Sequence, residues 1–254
     1  MKKPTKNNHM DSNADKFLQK FQHFERSLKS FVKSGDEERF PDSLKKASKL
    51  NTCIKNNFSL ISDLNALRNV LSHQERGKYI VSINKIVIGE LEKLTKAIDK
   101  PPSVISVFGK KVEQATLSDE ISRVMKVMHD NTYTHIPVWE HKTNYGNVEQ
   151  FAGKMIGVFS YSSFFEWLAK RKESEENPTF TKRFMADIDI KYLNSPAVNF
   201  DFVPEDKSVY EIPPIFDKYT KQSKRLDCLL ITKNGKRNED ITGIITSWDL
   251  GEMI

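Results

Sequence analysis

The chain has 254 residues, enough for two domains of ordinary size. Hydrophobic residues make up 38% of it, and only ten glycines and ten prolines are present, which excludes collagen-like and low-complexity character. The formal charge of +6 lies wholly at the front: residues 1–100 carry 20 Lys and Arg against 12 Asp and Glu, and residues 101–254 carry 20 against 22. A basic excess so placed suits a polyanionic partner for the first part, or simply a solvated lysine-rich helical surface. The opening MKKPTKNNHMDSNADK lacks the apolar stretch of a signal peptide. The longest apolar patch, YIVSINKIVIG, is interrupted and too short to span a bilayer. Cys53 and Cys228 lie far apart and join no metal-like cluster. These features predict a cytoplasmic, reduced protein with no structural metal.

The first hundred residues predict four helices in an antiparallel bundle. Phe17, Phe21, Phe24, Leu28 and Phe31 form one stripe of an amphipathic helix, either core or dimer surface. SGDEE ends it, and Pro41 suits the first turn of a second helix with Leu44, Ala47, Leu50 and Ile54 facing inward. A third carries Leu60, Leu64, Leu67 and Leu71. After ERGKY, a fourth carries Ile83, Val87, Leu91, Leu94 and Ile98, and Pro101-Pro102 stops it.

Beyond Pro102 a second pattern occurs twice. The first copy reads as a helix over 118–131, the strand THIPVW, a polar loop, the strand KMIGVFS and the helix YSSFFEWLAK. The second reads as a helix near 207–221, the strand RLDCLLIT, a loop with NGK, the strand ITGIITS and a helix start at WDLGEMI. Matching Gly157 with Gly243 and Ile136 with Cys228 makes the first copy's loop six residues longer. The unit is an internal duplication, with charged RKESEENPT as an exposed linker.

Each copy ends in a turn that can carry chemistry. In Gly243-Ile244-Ile245-Thr246-Ser247-Trp248-Asp249 an apolar strand runs into Thr, two residues and Asp as a helix begins. That spacing suits a helix-capping pair. It also suits a nucleotide, with phosphate at the Thr hydroxyl and helix-start amides and the ribose diol donating to Asp. The first copy has Ser160 and Ser163 at the matching places, and a serine cannot accept both diol hydrogens as a carboxylate can.

The duplicated unit over 103–254 resembles a tandem CBS domain pair (a Bateman module): first copy 103–171, linker 172–195, second copy 196–254. The resemblance implies two copies about a pseudo-twofold axis and an adenine nucleotide as regulatory ligand (AMP, ADP, ATP or a related adenosine compound). It also implies ligand-binding roles for Gly243, Thr246 and Asp249, with Ser160 and Ser163 lining a weaker or empty site. The whole chain is then α+β, an all-α antiparallel bundle over 12–100 followed by an α/β CBS pair.

Near the end of the third helix, LNALRNVLSHQER holds Arg68, Asn69 and His73. Asn69 and His73 are four apart and share a face, with Arg68 beside them. Arginine cannot ligate a metal, and no Cys, Asp or second His accompanies His73. Without a metal these residues suit phosphodiester chemistry: the histidine moves a proton, the arginine steadies phosphoryl charge, and the asparagine orients the scissile group. A chance grouping on a solvated helix end is the plainer alternative. In its basic helical setting the group resembles the motif of HEPN ribonucleases. That resemblance implies a homodimeric, metal-independent endoribonuclease with a composite site, in which a ribose 2′-hydroxyl attacks and leaves a cyclic phosphate. Toxin and defence roles suit the type. Arg68, Asn69 and His73 are thus the expected catalytic set, with RNA as substrate, no membrane partner, and a nucleotide-regulated ribonuclease as the combined expectation. The alternatives are a non-enzymatic nucleotide sensor, or an RNA-binding regulator, whose bundle serves for dimerisation or docking.

Overall fold

The computed structural model describes residues 13–74, 79, 81–145, 148–170, 183–194 and 199–253. Residues 75–78 of ERGKY and all of RKESEENPT lie outside them. The chain divides at Pro102 and Ser103 into two compact units.

The first unit is helical: α1 (Asn13–Phe31), α2 (Phe40–Ala47), α3 (Thr52–Asn56), α4 (Phe58–Ser72) and α5 (Lys85–Asp99). Helix α1 packs against α2, α4 and α5. Its stripe is core: Phe17, Phe21, Phe24 and Leu28 are wholly buried, and Phe31 packs against them. Phe40 of α2 closes on Phe21 with ring centroids 5.2 Å apart. Burying each such ring is worth roughly 1.5–3 kcal/mol, which outweighs the modest helix propensity of phenylalanine.

The expected second helix is two helices. It breaks at Asn51, whose buried side chain accepts the Ile54 amide at 3.1 Å and caps α3, so Leu50 falls on the outside at 48% exposure. An Asn cap competes with helix continuation because its side chain replaces the missing backbone acceptor. In α4 the inward position is Ile61, wholly buried, whereas Leu60 is exposed.

The second unit holds two three-stranded sheets of the same plan. In the first copy α6 (Val104–Phe108) leads to β1 (Ala115–Thr116), α7 (Ile121–Asp130), β2 (His135–Tyr145), β3 (Val148–Ser160) and α8 (Tyr161–Ala169). In the second, α9 (Ile190–Leu193) leads to β4 (Phe200–Pro204), α10 (Ile212–Lys221), β5 (Cys228–Thr232) and β6 (Ile241–Thr246), and a 3-10 turn follows over Asp249–Met253. The orders are β1-β2-β3 and β4-β5-β6, the first pair of each parallel and the second antiparallel. Helices α7 and α10 end alike, at Thr132 (φ 56°) and Ser223 (φ 56°), left-handed caps that release the chain towards the next strand.

The register corrects the sequence alignment by one residue. His135 pairs with Ser160, and Cys228 with Thr246, so Ile136 corresponds to Leu229 and not to Cys228. A one-residue slip exchanges the faces of a strand. Ile136 and Leu229 both face helices, whereas Cys228 lies in the core between the sheets with Trp139, Met155, Val158, Leu230 and Ile241. The first hairpin is therefore seven residues longer, not six: 25 positions separate His135 from Ser160 and 18 separate Cys228 from Thr246. Its expected polar loop is strand, with Tyr145 pairing Val148.

The copies also exchange their leading helices. Val104 and Phe108 of α6 lie in the second copy's core with Val203, Ile212 and Leu229. Tyr192 and Leu193 of α9, with Met185 and Ile188 before them, lie in the first copy's core. The stretch expected as linker over 172–195 therefore contains core residues in its described part. The matched glycines explain the fit. A side-chain carbon on Gly157 would be driven into the carbonyl oxygen of Leu193, and one on Gly243 would meet that of Phe108 at 2.7 Å. Arg237 adds a clasp between copies, donating to the carbonyl oxygens of Met155 (3.2 Å) and Ile156 (2.8 Å).

Candidate functional site

Strand β6 ends beside the start of β2, where two cavities meet. The larger, about 410 Å³, is lined by Lys110, Thr132, Tyr133, Thr134, His135, Ile244, Thr246, Trp248 and Asp249. The smaller, about 160 Å³, shares Thr134, His135, Thr246 and Trp248 and adds Ser160, Tyr161, Ser162, Arg225, Asp227 and Ser247. Both copies thus contribute to one concave region that mixes aromatic, hydroxyl and charged groups, the usual make-up of a small-molecule site.

Thr246 and Asp249 come together as a cap. The Asp249 Oδ2 accepts the Thr246 amide at 2.6 Å and its hydroxyl at 2.8 Å. The Thr246 hydroxyl, expected at a phosphate, already donates its hydrogen to Asp249, as does the Thr246 amide. Among the described residues, Oδ1 of the same carboxylate has no hydrogen-bond donor. Gly243 is buried and serves the packing of Phe108.

The matching turn of the first copy is self-satisfied. The Ser160 amide donates to Ser163 Oγ (2.8 Å), the Ser163 amide to Ser160 Oγ (3.1 Å), and the Ser163 hydroxyl to the Ser160 carbonyl (2.8 Å). Ser163 is wholly buried and Ser160 is 4% exposed. Ser163, expected to line a weaker or empty site, has its hydroxyl committed to the Ser160 carbonyl. A third turn separates capping from binding. Thr116 donates its amide (2.7 Å) and hydroxyl (3.1 Å) to Asp119 Oδ2, the geometry of Thr246 and Asp249. Burial works against ionisation of Asp119, but these bonds and Arg123 hold its pKa below the usual range. Arg123 takes the second oxygen of Asp119, whereas Asp249 has no basic partner among the described residues and lines the larger cavity.

Around the cavities, Asp227 is buried, pairs with Arg225 at 2.6 Å and accepts the Asn199 amide at 3.0 Å. Burial pushes the His135 imidazole below its ordinary pKa; Asp227 pulls it back up and Arg225 adds to the fall. Sequence reasoning missed Lys110, Tyr133, His135, Arg225, Asp227 and Trp248. Trp248 stood inside the quoted motif and could have been found there; the others reach the site only through the fold.

In the helical unit, Arg68, Asn69 and His73 share the last turn of α4. Arg68 donates to Asn69 Oδ1 at 3.0 Å and lies 3.7 Å from the Glu25 carboxylate. Asn69 and His73 are exposed, and His73 is the C-cap in helical conformation. Arg68 also lines a cavity of about 400 Å³ with Asp15, Gln19, Gln22, Ser72, Gln74 and Tyr79, which Asn69 and His73 do not line. Among the described residues, no group of three His, Cys, Asp or Glu could hold a metal ion, and no helix is long and apolar enough to cross a membrane.

No family model and no curated protein matches the chain. Solved structures similar to it include CBS domain pairs. That of protein MJ0100, in complex with 5′-methylthioadenosine and S-adenosyl-L-methionine, is 16% identical, with 60% of this chain and 95% of that one covered and a TM-score of 0.39. A conserved CBS domain protein of unknown function from Thermoplasma acidophilum, TA0289, is 15% identical, with 61% and 70% covered and a TM-score of 0.39. The CBS domain of a bacterial CNNM/CorC family Mg2+ transporter, in complex with ATP, is 13% identical, with 64% and 92% covered and a TM-score of 0.37. The duplicated plan of the second unit stands on its own register.

Proposed function

We propose that the second unit is a CBS pair that senses an adenine nucleotide at the cavity of Thr246 and Asp249, and that the helical unit is the part it regulates. The single observation that carries this is the placement of Asp249: a carboxylate fixed by two hydrogen bonds beside a cavity of about 410 Å³ built by both copies. Fixing one oxygen orients the other, and a preoriented acceptor loses little entropy when a diol binds. The test is calorimetry of the full chain with AMP, ADP, ATP and S-adenosylmethionine. One of these binds, and Asp249→Ala weakens it by about 1.5–3 kcal/mol, the range for hydrogen bonds to a charged group. Absence of binding by all four overturns the reading.

A second reading concerns what is regulated. The exposure of Asn69 and His73 on the turn that also carries Arg68 favours a metal-independent endoribonuclease in the basic unit, acting as a homodimer on RNA. Removing the proton-transfer group by His73→Ala then costs on the order of 10²–10⁴ in rate. RNA left uncut in EDTA, or cut equally by His73→Ala, assigns the helical unit to docking or dimerisation instead.

A further inference from the structure

Trp248 is 84% exposed, above every other large hydrophobic side chain among the described residues, the next being Ile86 at 70%. The other two tryptophans, Trp139 and Trp167, are 3% and 7% exposed. Single exposed apolar residues are common and need no explanation by themselves. Trp248 differs in its surroundings. It lines both cavities at once, between Thr246 and Asp249 in sequence, and shares the larger one with Tyr133 and Ile244. The first copy has Ser162 at the corresponding place, in the turn that also lacks a carboxylate. At these two places aromatic ring and carboxylate occur together in the second copy and are both replaced by serine in the first, whose ring in this turn, Tyr161, stands one place earlier and lines the smaller cavity. The remaining charge at the larger cavity comes from Lys110, exposed and without an acidic partner among the described residues.

We infer that Trp248 is the platform on which the base of the nucleotide stacks, in the larger cavity, with Asp249 on the ribose. This rests on the sensor reading and names the residue that makes it selective for a base. An indole offers a π-face to any purine at small conformational cost. The exposed ring on the cavity wall is the surface a base would cover.

Acrylamide quenching of tryptophan fluorescence in the full chain reads Trp248 selectively, because Trp139 and Trp167 are buried. AMP, ATP and S-adenosylmethionine serve as base-bearing probes, and ribose 5-phosphate as the probe without a base. At saturation a base-bearing probe shields the quenchable tryptophan, and ribose 5-phosphate does not. In calorimetry Trp248→Ala lowers affinity about tenfold, the order expected from losing one base–aromatic stack, and Trp248→Phe keeps most of it. Binding unchanged in Trp248→Ala overturns the platform and leaves the sensor standing. Equal losses in the Ala and Phe variants overturn it as well, since the phenyl ring still stacks. Shielding that follows protein concentration and not ligand assigns the ring to self-association. If no base-bearing probe binds the wild type, both the platform and the sensor reading fall.

Discussion

The turns after β3 and β6 hold the same place in the two copies, yet their hydrogen bonds end differently. Ser160 and Ser163 turn upon each other and close, with Ser163 wholly buried. Thr246 donates its amide and hydroxyl to one Asp249 carboxylate oxygen, at the edge of a cavity. Both arrangements satisfy the amide of the residue that ends the strand, so closing the turn does not separate them. What separates them is what remains after the turn closes: a committed hydroxyl in one copy, a charged oxygen in the other. Thr116 and Asp119 sharpen the point, because they close a turn with the same two hydrogen bonds and their carboxylate is taken by Arg123. The Thr-x-x-Asp spacing closes a turn, and its surroundings decide whether it can also make a site.

The largest expected effect tests whether the copies are built alike beneath that difference. Gly157→Ala drives a methyl into the Leu193 carbonyl, and backbone must move; a loss of about 3 kcal/mol or more is expected. Gly243→Ala meets Phe108 and the mobile end of Ile231 at 2.7 Å and should cost less, about 1–2 kcal/mol. Thermal melts of both variants check the order, and a harmless Gly157→Ala removes the exchanged-helix account of the glycines.

Much of this was legible in the sequence, and the omissions have physical causes. The phenylalanine stripe of α1 and the strand–strand repeat read correctly because burial imposes a period on long segments. The break at Asn51 was hidden because Leu44, Ala47, Leu50 and Ile54 keep a helical period across it, and a single cap residue overrode that pattern. The exchanged helices α6 and α9 are five and four residues long, too short to show a period, and their burial depends on strands far away in sequence. Thr246 and Asp249 were legible as a pair because a cap is local. The cavity beside them was not, since Tyr133 and Lys110 arrive from the other copy.

The next effect separates capping from binding in the first copy. Ser163→Ala strands the buried Ser160 amide and should lower stability by about 1–3 kcal/mol while leaving nucleotide affinity intact. Melts and calorimetry on one preparation check both halves, and an affinity loss without a stability loss would place Ser163 in the site after all. A smaller gain comes from Thr132, a β-branched residue held at φ 56° on the cavity wall. Thr132→Gly relieves it and should raise stability by about 1 kcal/mol at the melting point.

The gentlest effect is in pH. His135 has its pKa lowered in the folded state, so the unfolded chain binds the proton more readily. Its contribution is full above the unfolded value of about 6.5 and is lost as pH falls below it. Melting temperatures between pH 8 and pH 5 should fall less steeply for His135→Asn than for wild type, and parallel curves contradict this.

The comparison of the two turns reduces to a count of ligands per chain. Equilibrium dialysis of wild type, Asp249→Ala and Ser163→Ala against a saturating adenine nucleotide measures it directly. At a free concentration about ten times the wild-type Kd, close to one nucleotide per chain is predicted for wild type and Ser163→Ala, and half or less for Asp249→Ala. Two equivalent nucleotides in the wild type, or one retained by Asp249→Ala and lost by Ser163→Ala, contradicts it.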